Sequence, residues 1–592
     1  METFDAGRLA DPSLECDLIM KGGITSGVVF PKAITRLAER YRFVNIGGTS
    51  AGSIAAVMAA AAEYRRSLGG SEEDRAAGFK VIEEMADDLA RNLKTLFQPS
   101  AATRPLFVLA MSVIASNGKA GAFFAGALRA YPAEVALAAL PGLALLAWAA
   151  CGAFLWAGLA GLLLLVAVPA VTVALKLWRA ITVVLPAHDY GICSGLSAAP
   201  QGVPAFTDWI AAKLDAASER DPADGSGYRP LTVSDIRERG ITVASVTTDL
   251  SSGRPYQLPL GTRIFSFRKA EFERLFPQRI VDYLVRTGGR AKTQDDQPLT
   301  DENGNGDYYR LPAEGEFPVL LVARLSLSFP GLISAVPLYR FDNTVKDAAG
   351  KRGVLVRCLF SDGGITSNFP IHFFDALLPG RPTFGIALGS LDERVPDAPR
   401  VFLPTGIRQG SATAAHAIVG LLDFANAILT TARNWQDTLQ SRLHGYRERI
   451  VEIRLDDDKE GGLNLAMDEK TIDGLIALGD EAAGRLLDAN DGFDFDEHRW
   501  RRAVTALPAL AEALERFSRV WGAPYRTLLL EHDPSGLTGV TRAGRQDLVA
   551  FADALAALGG QTRDKPLPKP SAQRAIVRVV ARVDTDESPA GG

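Results

Sequence analysis

The chain has 592 residues, a formal net charge of −5 and 47% hydrophobic residues, with a mean hydropathy of +0.07. That length holds one large domain with elaborations or a few ordinary ones, and the apolar share is high for a chain that meets only water. Charges of mixed sign without a Lys/Arg block leave no electrostatic footprint for nucleic acid, and Cys16, Cys151, Cys193 and Cys358 have no spacing that suggests a disulfide framework or a zinc site.

The run Met1 to Arg8 lacks a basic start followed by an apolar core, so no secretory signal is expected and the soluble part is assigned to the cytoplasm. Leu18-Ile19-Met20 then reads as a buried strand, Lys21 to Gly27 as a turn, and Val28 to Arg40 as a helix with apolar residues at helical spacing. A second unit comes at once: Phe43-Val44-Asn45-Ile46 as a strand, Gly48-Thr49-Ser50-Ala51-Gly52 as a sharp turn, and Ser53 to Met58 as a helix. Two successive β-α units imply a parallel sheet with helices packed on it, hence an α/β fold.

A G-x-S-x-G turn between strand and helix is the setting of a serine hydrolase nucleophile. It would expose the Ser50 hydroxyl at a helix N-terminus, where free N–H groups favour a developing oxyanion, while Gly48 and Gly52 let the backbone crowd the serine. Gly22, Gly23 and Ile24 end the neighbouring strand, and parallel strands place such loops on one edge, so their amides can line an oxyanion hole above Ser50. The same glycines also read as a helix-capping turn or a phosphate loop, although the Gly-Lys-Ser/Thr ending of a nucleotide loop is missing.

Between Val135 and Leu175 about forty residues carry no charge, and one helix of that length would run roughly 60 Å, about twice a bilayer core. Two helices of about twenty residues fit better, with a reversal near Cys151-Gly152 and helix starts or kinks at Pro141 and Pro169. Basic flanks at Arg129, Lys176 and Arg179 agree with both ends facing the cytoplasm. A transmembrane hairpin is therefore expected; a hairpin dipping into one leaflet and a pair of buried soluble helices are the alternatives. The apolar stretch Pro105 to Met111 is placed at the membrane interface.

After Pro186 the composition returns to that of a soluble domain, with a polar loop at 218–228 and a strand at Ile241 to Val246. Arg290 to Gly315 reads as a mobile, turn-rich loop, and Val319 to Arg324 and Val354 to Phe360 as strands. Asp301 to Gly306 matches the first half of a calcium loop, but Pro312 stands where a bidentate Glu is needed, so a loop is the better reading. Beyond Asn490 the pattern is helical, as in Trp500 to Trp521, with a disordered tail from 562. For a base, Asp362 ends an apolar strand at Phe360-Ser361-Asp362-Gly363-Gly364, although an Asp-Gly more often caps its own turn. His372 is the competitor, because serine triads normally interpose an imidazole.

Taken in order, the glycine loop Gly22 to Gly27, the turn Gly48 to Gly52 and the distant Asp362-Gly363-Gly364 resemble the patatin-like phospholipase family. The resemblance runs from about 17 to 490, with weaker matches at His188 to Gly191, Ser326 to Val336 and Tyr446 to Met467. It implies a three-layer α/β sandwich with a mainly parallel sheet, here interrupted by the hydrophobic hairpin at 133–178 and followed by a helical region at 491–561 and a tail at 562–592. It further implies Ser50 as nucleophile and Asp362, ahead of His372, as proton acceptor in a dyad without histidine. Gly22, Gly23 and Ile24 become the oxyanion hole, and Gly27, Gly48, Gly52, Gly363 and Gly364 motif positions. The family loop departs here in two places: Ile24 replaces a glycine and Ser26 a basic residue.

The expected function is thus a membrane-associated hydrolase of fatty acyl esters, acting through an acyl-enzyme on a phospholipid or other lipid ester, with no metal, no cofactor and no nucleic acid. Activity should fall at acid pH as Asp362 is protonated. The alternatives are a membrane-anchored scaffold or gated effector and an acyltransferase to an acceptor other than water; a protein partner is not identified.

Overall fold

The computed structural model describes residues 4–568 except 24, 115–119, 153–154, 198–201, 223–226, 293–296, 301–303, 305, 347–351, 392–394, 396–397, 407–416, 421–423, 425–426, 429, 432, 435–440, 442, 444, 457–458, 462–463, 466, 533–540 and 566. Ile24, most of the 301–306 segment and most of the expected tail therefore lie outside the described residues.

The apolar run before Lys21 forms strand β1 (Leu14–Met20), and the run before the G-x-S-x-G turn forms β2 (Tyr41–Gly48). They pair in parallel, with Met20 opposite Gly48, so both chains leave the sheet at the same edge. The other strands are β3 (Gly191–Cys193), β4 (Thr242–Asp249), β5 (Arg254–Leu258), β6 (Ser266–Arg268), β7 (Tyr308–Arg310), β8 (Gly331–Ile333), β9 (Val336–Lys346), β10 (Arg352–Ser361), β11 (Thr383–Ser390), β12 (Val401–Phe402) and β13 (Ile450–Leu455). The main sheet runs β12-β13-β11-β1-β2-β4-β10-β9-β6-β7, with β5 on β4; β3 and β8 form a separate pair. Its centre, β13-β11-β1-β2-β4, is parallel, and antiparallel strands extend both sides. The molecule is a mixed α/β fold with a mostly parallel central sheet.

The large core lies between this sheet and the helices Phe30–Ala38, Ala51–Ser67, Glu72–Asn92, Phe206–Ser218, Val319–Ser326 and Glu469–Leu487. A small cluster of Ile19, Phe369, Ile371 and Ile450 forms a second core beside it. The helix Ala51–Ser67, which follows Ser50, is buried along most of its length. Its far end is pinned by Glu63, which accepts the Phe43 N–H at 2.7 Å and pairs with Arg66, itself donating to the carbonyls of Leu9 (2.8 Å) and Ala38 (3.0 Å). Burial raises the Glu63 pKa while Arg66 opposes the shift.

Val319–Ser326 is a helix, where a strand is expected from its run of apolar residues. An unbroken run of this length carries no period that separates a buried strand from a buried helix. Within the turn-rich stretch 290–315, part of which lies outside the described residues, Tyr308–Arg310 pairs with β6 and Lys292 bridges Pro298, where a loop alone is expected.

Two helices, Pro132–Gly152 and Leu155–Ala187, are long and apolar enough to cross a membrane, with 11% and 6% of their most apolar windows buried. The reversal falls where the chain is expected to turn, but Pro141 and Pro169 lie inside the helices rather than at their starts, each removing one backbone donor. The helices touch through glycine: a side chain on Gly142 would meet the Leu165 backbone at 2.5 Å, and one on Gly161 the Leu146 backbone at 3.0 Å. The excursion also begins and ends at one place. Pro99 bridges Cys193, and Thr103 Oγ1 donates to the Ile192 carbonyl at 2.6 Å.

The helical C-terminal region docks on the body through Phe495–Val520. Arg502 is buried there, pairs with Asp375 and donates to the carbonyl of Ala376 at 2.9 Å. The last helix, Arg542–Asp564, passes the expected start of the tail by three residues.

Replacing Gly142 with Leu should separate the two apolar helices and destabilise the hairpin by about 1–3 kcal/mol. Unfolding of the full chain in detergent micelles measures this, and unchanged stability would show that the glycine contact does not hold the helices.

Candidate active site

The reversal between β2 and the helix Ala51–Ser67 is made by Ser50 itself, whose φ of 53° and ψ of −126° lie in a region that favours glycine. Such strain persists only where neighbours hold it. The Ser50 N–H donates to Ser326 Oγ at 3.1 Å; that hydroxyl meets Ser245 Oγ at 2.9 Å, and Ser245 donates to the Gly48 carbonyl at 2.6 Å. Thr49 Oγ1 donates to the Asn368 carbonyl at 2.8 Å. The glycines are required by contact, since a Cβ on Gly48 would stand 2.3 Å from the Gly52 carbonyl oxygen, and one on Gly52 2.3 Å from that of Met20.

Asp362 follows the last residue of β10, which pairs with β4 next to β2. Its N–H donates to the Ser328 carbonyl at 3.0 Å and its carbonyl accepts Thr248 Oγ1 at 3.0 Å, so the main chain is fixed on both sides. Oδ1 accepts the Gly364 N–H at 2.7 Å. A Cβ on Gly363 would stand 2.0 Å from the Val246 carbonyl oxygen, and one on Gly364 2.8 Å from Asp362 Oδ1, so neither position has room for a side chain.

The structure brings Ser50 and Asp362 together. Both are buried, and the Ser50 hydroxyl is near enough to the Asp362 carboxyl to favour its charged form. Oδ2 is enclosed without a partner in full hydrogen-bond geometry, so the contact is looser than the Gly364 bond. Burial pushes the Asp362 pKa up to about 6, against the pull of the Ser50 hydroxyl, the Gly364 N–H and the positive charge of Arg433.

The glycine loop closes the third side. A Cβ on Gly22 would lie 3.0 Å from Ser50 Cβ and one on Gly27 2.6 Å from Ala51 Cβ, so the loop rests directly on the turn. The Gly22 N–H, however, donates to the Asn368 carbonyl at 3.0 Å, and this conformation leaves it unable to serve an oxyanion as expected. Among the described residues no protein group takes the Gly23 N–H. Ala51, as the first helical residue, has no intrahelical partner for its own. The amides left without a protein acceptor beside this turn, among the described residues, are thus those of Gly23 and Ala51.

His372 hydrogen-bonds neither Ser50 nor Asp362 among the described residues; its Nδ1 is buried without a partner and burial lowers its pKa. Ser326, Ser245, Asn368 and the fully buried Arg324 are absent from the residues assigned roles from sequence. Arg324 donates to Ser328 Oγ at 2.6 Å and to the Ser334 carbonyl at 2.9 Å, and so ties the helix that ends at Ser326 to the loop that carries Ser328. A serine partnered with residues 276 and 81 positions away leaves no local pattern to read.

No protein-family model matches the chain. The RpoH suppressor of Rhizobium meliloti (strain 1021) is 35% identical over 594 residues, covering 88% of this chain and 89% of its own. Among solved structures, VipD from Legionella pneumophila aligns over 94% of this chain and 88% of its own at 11% identity, with a TM-score of 0.27, a likeness too slight to carry an argument.

Two stability measurements check this geometry. Ser50→Gly should stabilise the chain by about 1–3 kcal/mol, because glycine adopts the turn without strain; a loss of stability would mean that the turn is not strained. A carboxyl whose folded pKa is raised binds more protons folded than unfolded, so the stability it contributes is present below its ordinary pKa and lost as pH rises through the folded one. From about pH 4 to about pH 6, wild type should therefore lose on the order of 2–3 kcal/mol relative to Asp362→Asn. Parallel stability curves for the two proteins would refute the buried carboxyl.

Proposed function

We propose that this chain, which belongs to the family of the RpoH suppressor of Rhizobium meliloti, is a membrane-associated serine hydrolase of lipid acyl esters, of the patatin-like kind and acting on a phospholipid or a related ester. The observation that carries the reading is the meeting of Ser50, on a strained turn at a helix N-terminus, with the buried carboxyl of Asp362. Few structural roles reward both the strain and the burial, whereas acyl transfer uses each.

In this scheme Asp362 accepts the Ser50 proton as Oγ attacks the ester carbonyl carbon. The carbonyl oxygen, becoming negative, is held by the Gly23 N–H and the first amide of the helix. Collapse expels the alcohol with the proton from Asp362 and leaves the acyl group on Ser50. Water, deprotonated by Asp362, then releases the fatty acid. The two apolar helices support a membrane location for the substrate.

The Gly22 N–H bond to Asn368 favours a gated form of the same enzyme, in which the glycine loop shifts before the oxyanion hole is complete.

Fluorophosphonate labelling and lipid hydrolysis by the purified chain test the reading. Ser50→Ala should abolish labelling and lower kcat by about 10³-fold or more, and Asp362→Asn should cost a comparable factor. Hydrolysis by the wild type should fall as pH drops through about 6, where Asp362 takes up its proton. Full activity in Ser50→Ala would refute the scheme.

A further inference from the structure

Next to Ser50 in the chain opens an apolar cleft, lined among others by Gly27, Ala51, Ile54, Met85, Leu89 and Trp209. It starts at the residue after the nucleophile and follows one face of the helix Ala51–Ser67, on which Ala51, Ile54, Ala55 and Met58 recur at helical spacing. Among the described residues no charged side chain lines it, and Ala51, Ile54, Ala55 and Leu89 keep 7–8% exposure in an otherwise closed core. Close-packed interiors leave few such spaces, and an apolar one offers water nothing to bond.

The far wall adjoins the start of the apolar excursion. Leu93 lines the cleft, Phe97 stacks on Phe206 at 5.3 Å, and the chain then enters the apolar helix Arg104–Ile114, whose Phe107 and Met111 pack on the same core. The helix Ala120–Ala130 follows, and after it come the two long apolar helices.

We infer that this cleft holds the acyl chain of the ester attacked by Ser50, and that the chain enters from the side of the apolar helices. The inference rests on the hydrolase reading above and adds the part of the substrate that is selected. The occupant is an unbranched hydrocarbon chain: the lining satisfies no polar group, and it extends from Ala51, next to Ser50, to Leu93, from which the chain passes to the apolar excursion. Each methylene buried there contributes to the binding of long chains and nothing to that of short ones.

The full chain in detergent micelles should be assayed with p-nitrophenyl palmitate and p-nitrophenyl butyrate. Leu89→Trp, which fills the cleft, should lower the palmitate-to-butyrate ratio of kcat/KM about tenfold. Met85→Ala, which widens it, should move the ratio the other way and serves if the tryptophan variant does not fold. Equal factors for both esters in both variants would overturn the cleft's role while leaving hydrolysis intact. A wild-type chain that cleaves neither ester and escapes fluorophosphonate labelling would instead overturn the hydrolase reading, and the cleft with it.

Discussion

The site depends on backbone packed against backbone at the edge where β1 and β2 end in register. Parallel pairing delivers the glycine loop and the Ser50 turn to one edge, but it also presses the Met20 carbonyl against the start of the helix Ala51–Ser67, where a methyl group would not fit. The chain can turn there only if Gly48 and Gly52 lack side chains and Ser50 accepts a conformation of order 1–3 kcal/mol above its preferred ones. That cost is offset by distant groups: Ser326 takes the Ser50 N–H, and the Asn368 carbonyl takes both Thr49 Oγ1 and the Gly22 N–H. Asn368 thereby ties the glycine loop, the turn and the segment after Asp362 into one unit.

Electrostatics follows from that packing. The segments that hold the turn also exclude water from Asp362, and desolvation outweighs the donors that favour its charge. A carboxyl with an ordinary pKa would be too weak a base for a serine proton; one raised to about 6 is still ionised near neutrality and closer to the poise that general-base catalysis needs. Near and distant parts of the chain thus act on one carboxyl. Ser50 and Gly364 supply donors, and the body around them removes the solvent that would otherwise set its pKa.

The legible parts were those whose physical cause is local. Gly48 to Gly52 and Asp362 to Gly364 announce themselves because each needs small residues within a few positions of a reactive one, and the charge-free run 135–175 because composition alone marks it. The helix Val319–Ser326 was not legible, since its buried polar members find their partners outside it: Arg324 donates to the Ser328 hydroxyl and the Ser334 carbonyl, and Ser326 meets Ser50 and Ser245. Nor was the use of the Gly22 N–H, which a carbonyl more than three hundred positions away decides. Position 24, where a glycine is replaced in the loop, lies outside the described residues.

The same division between local and distant causes explains how the body carries so large an apolar excursion. Its two ends meet at Pro99 and Cys193, so the chain returns to the point it left and the sheet registers on either side are undisturbed. Closing a long loop costs little more than closing a short one, and here the closure is held by the Thr103 bond to Ile192 and by His188, which meets Ser100 Oγ at 3.2 Å. At the exit the helix passes through a π-helical turn, Ala180–Val184, which adds a residue to the turn. Helices with glycine contacts of their own, joined to the body by fixed ends, need no other support from it. Where the excursion departs, Leu93 and Phe97 belong to the core and Phe107 and Met111 of the helix Arg104–Ile114 pack on it, so the body meets the excursion with an apolar wall rather than a polar surface.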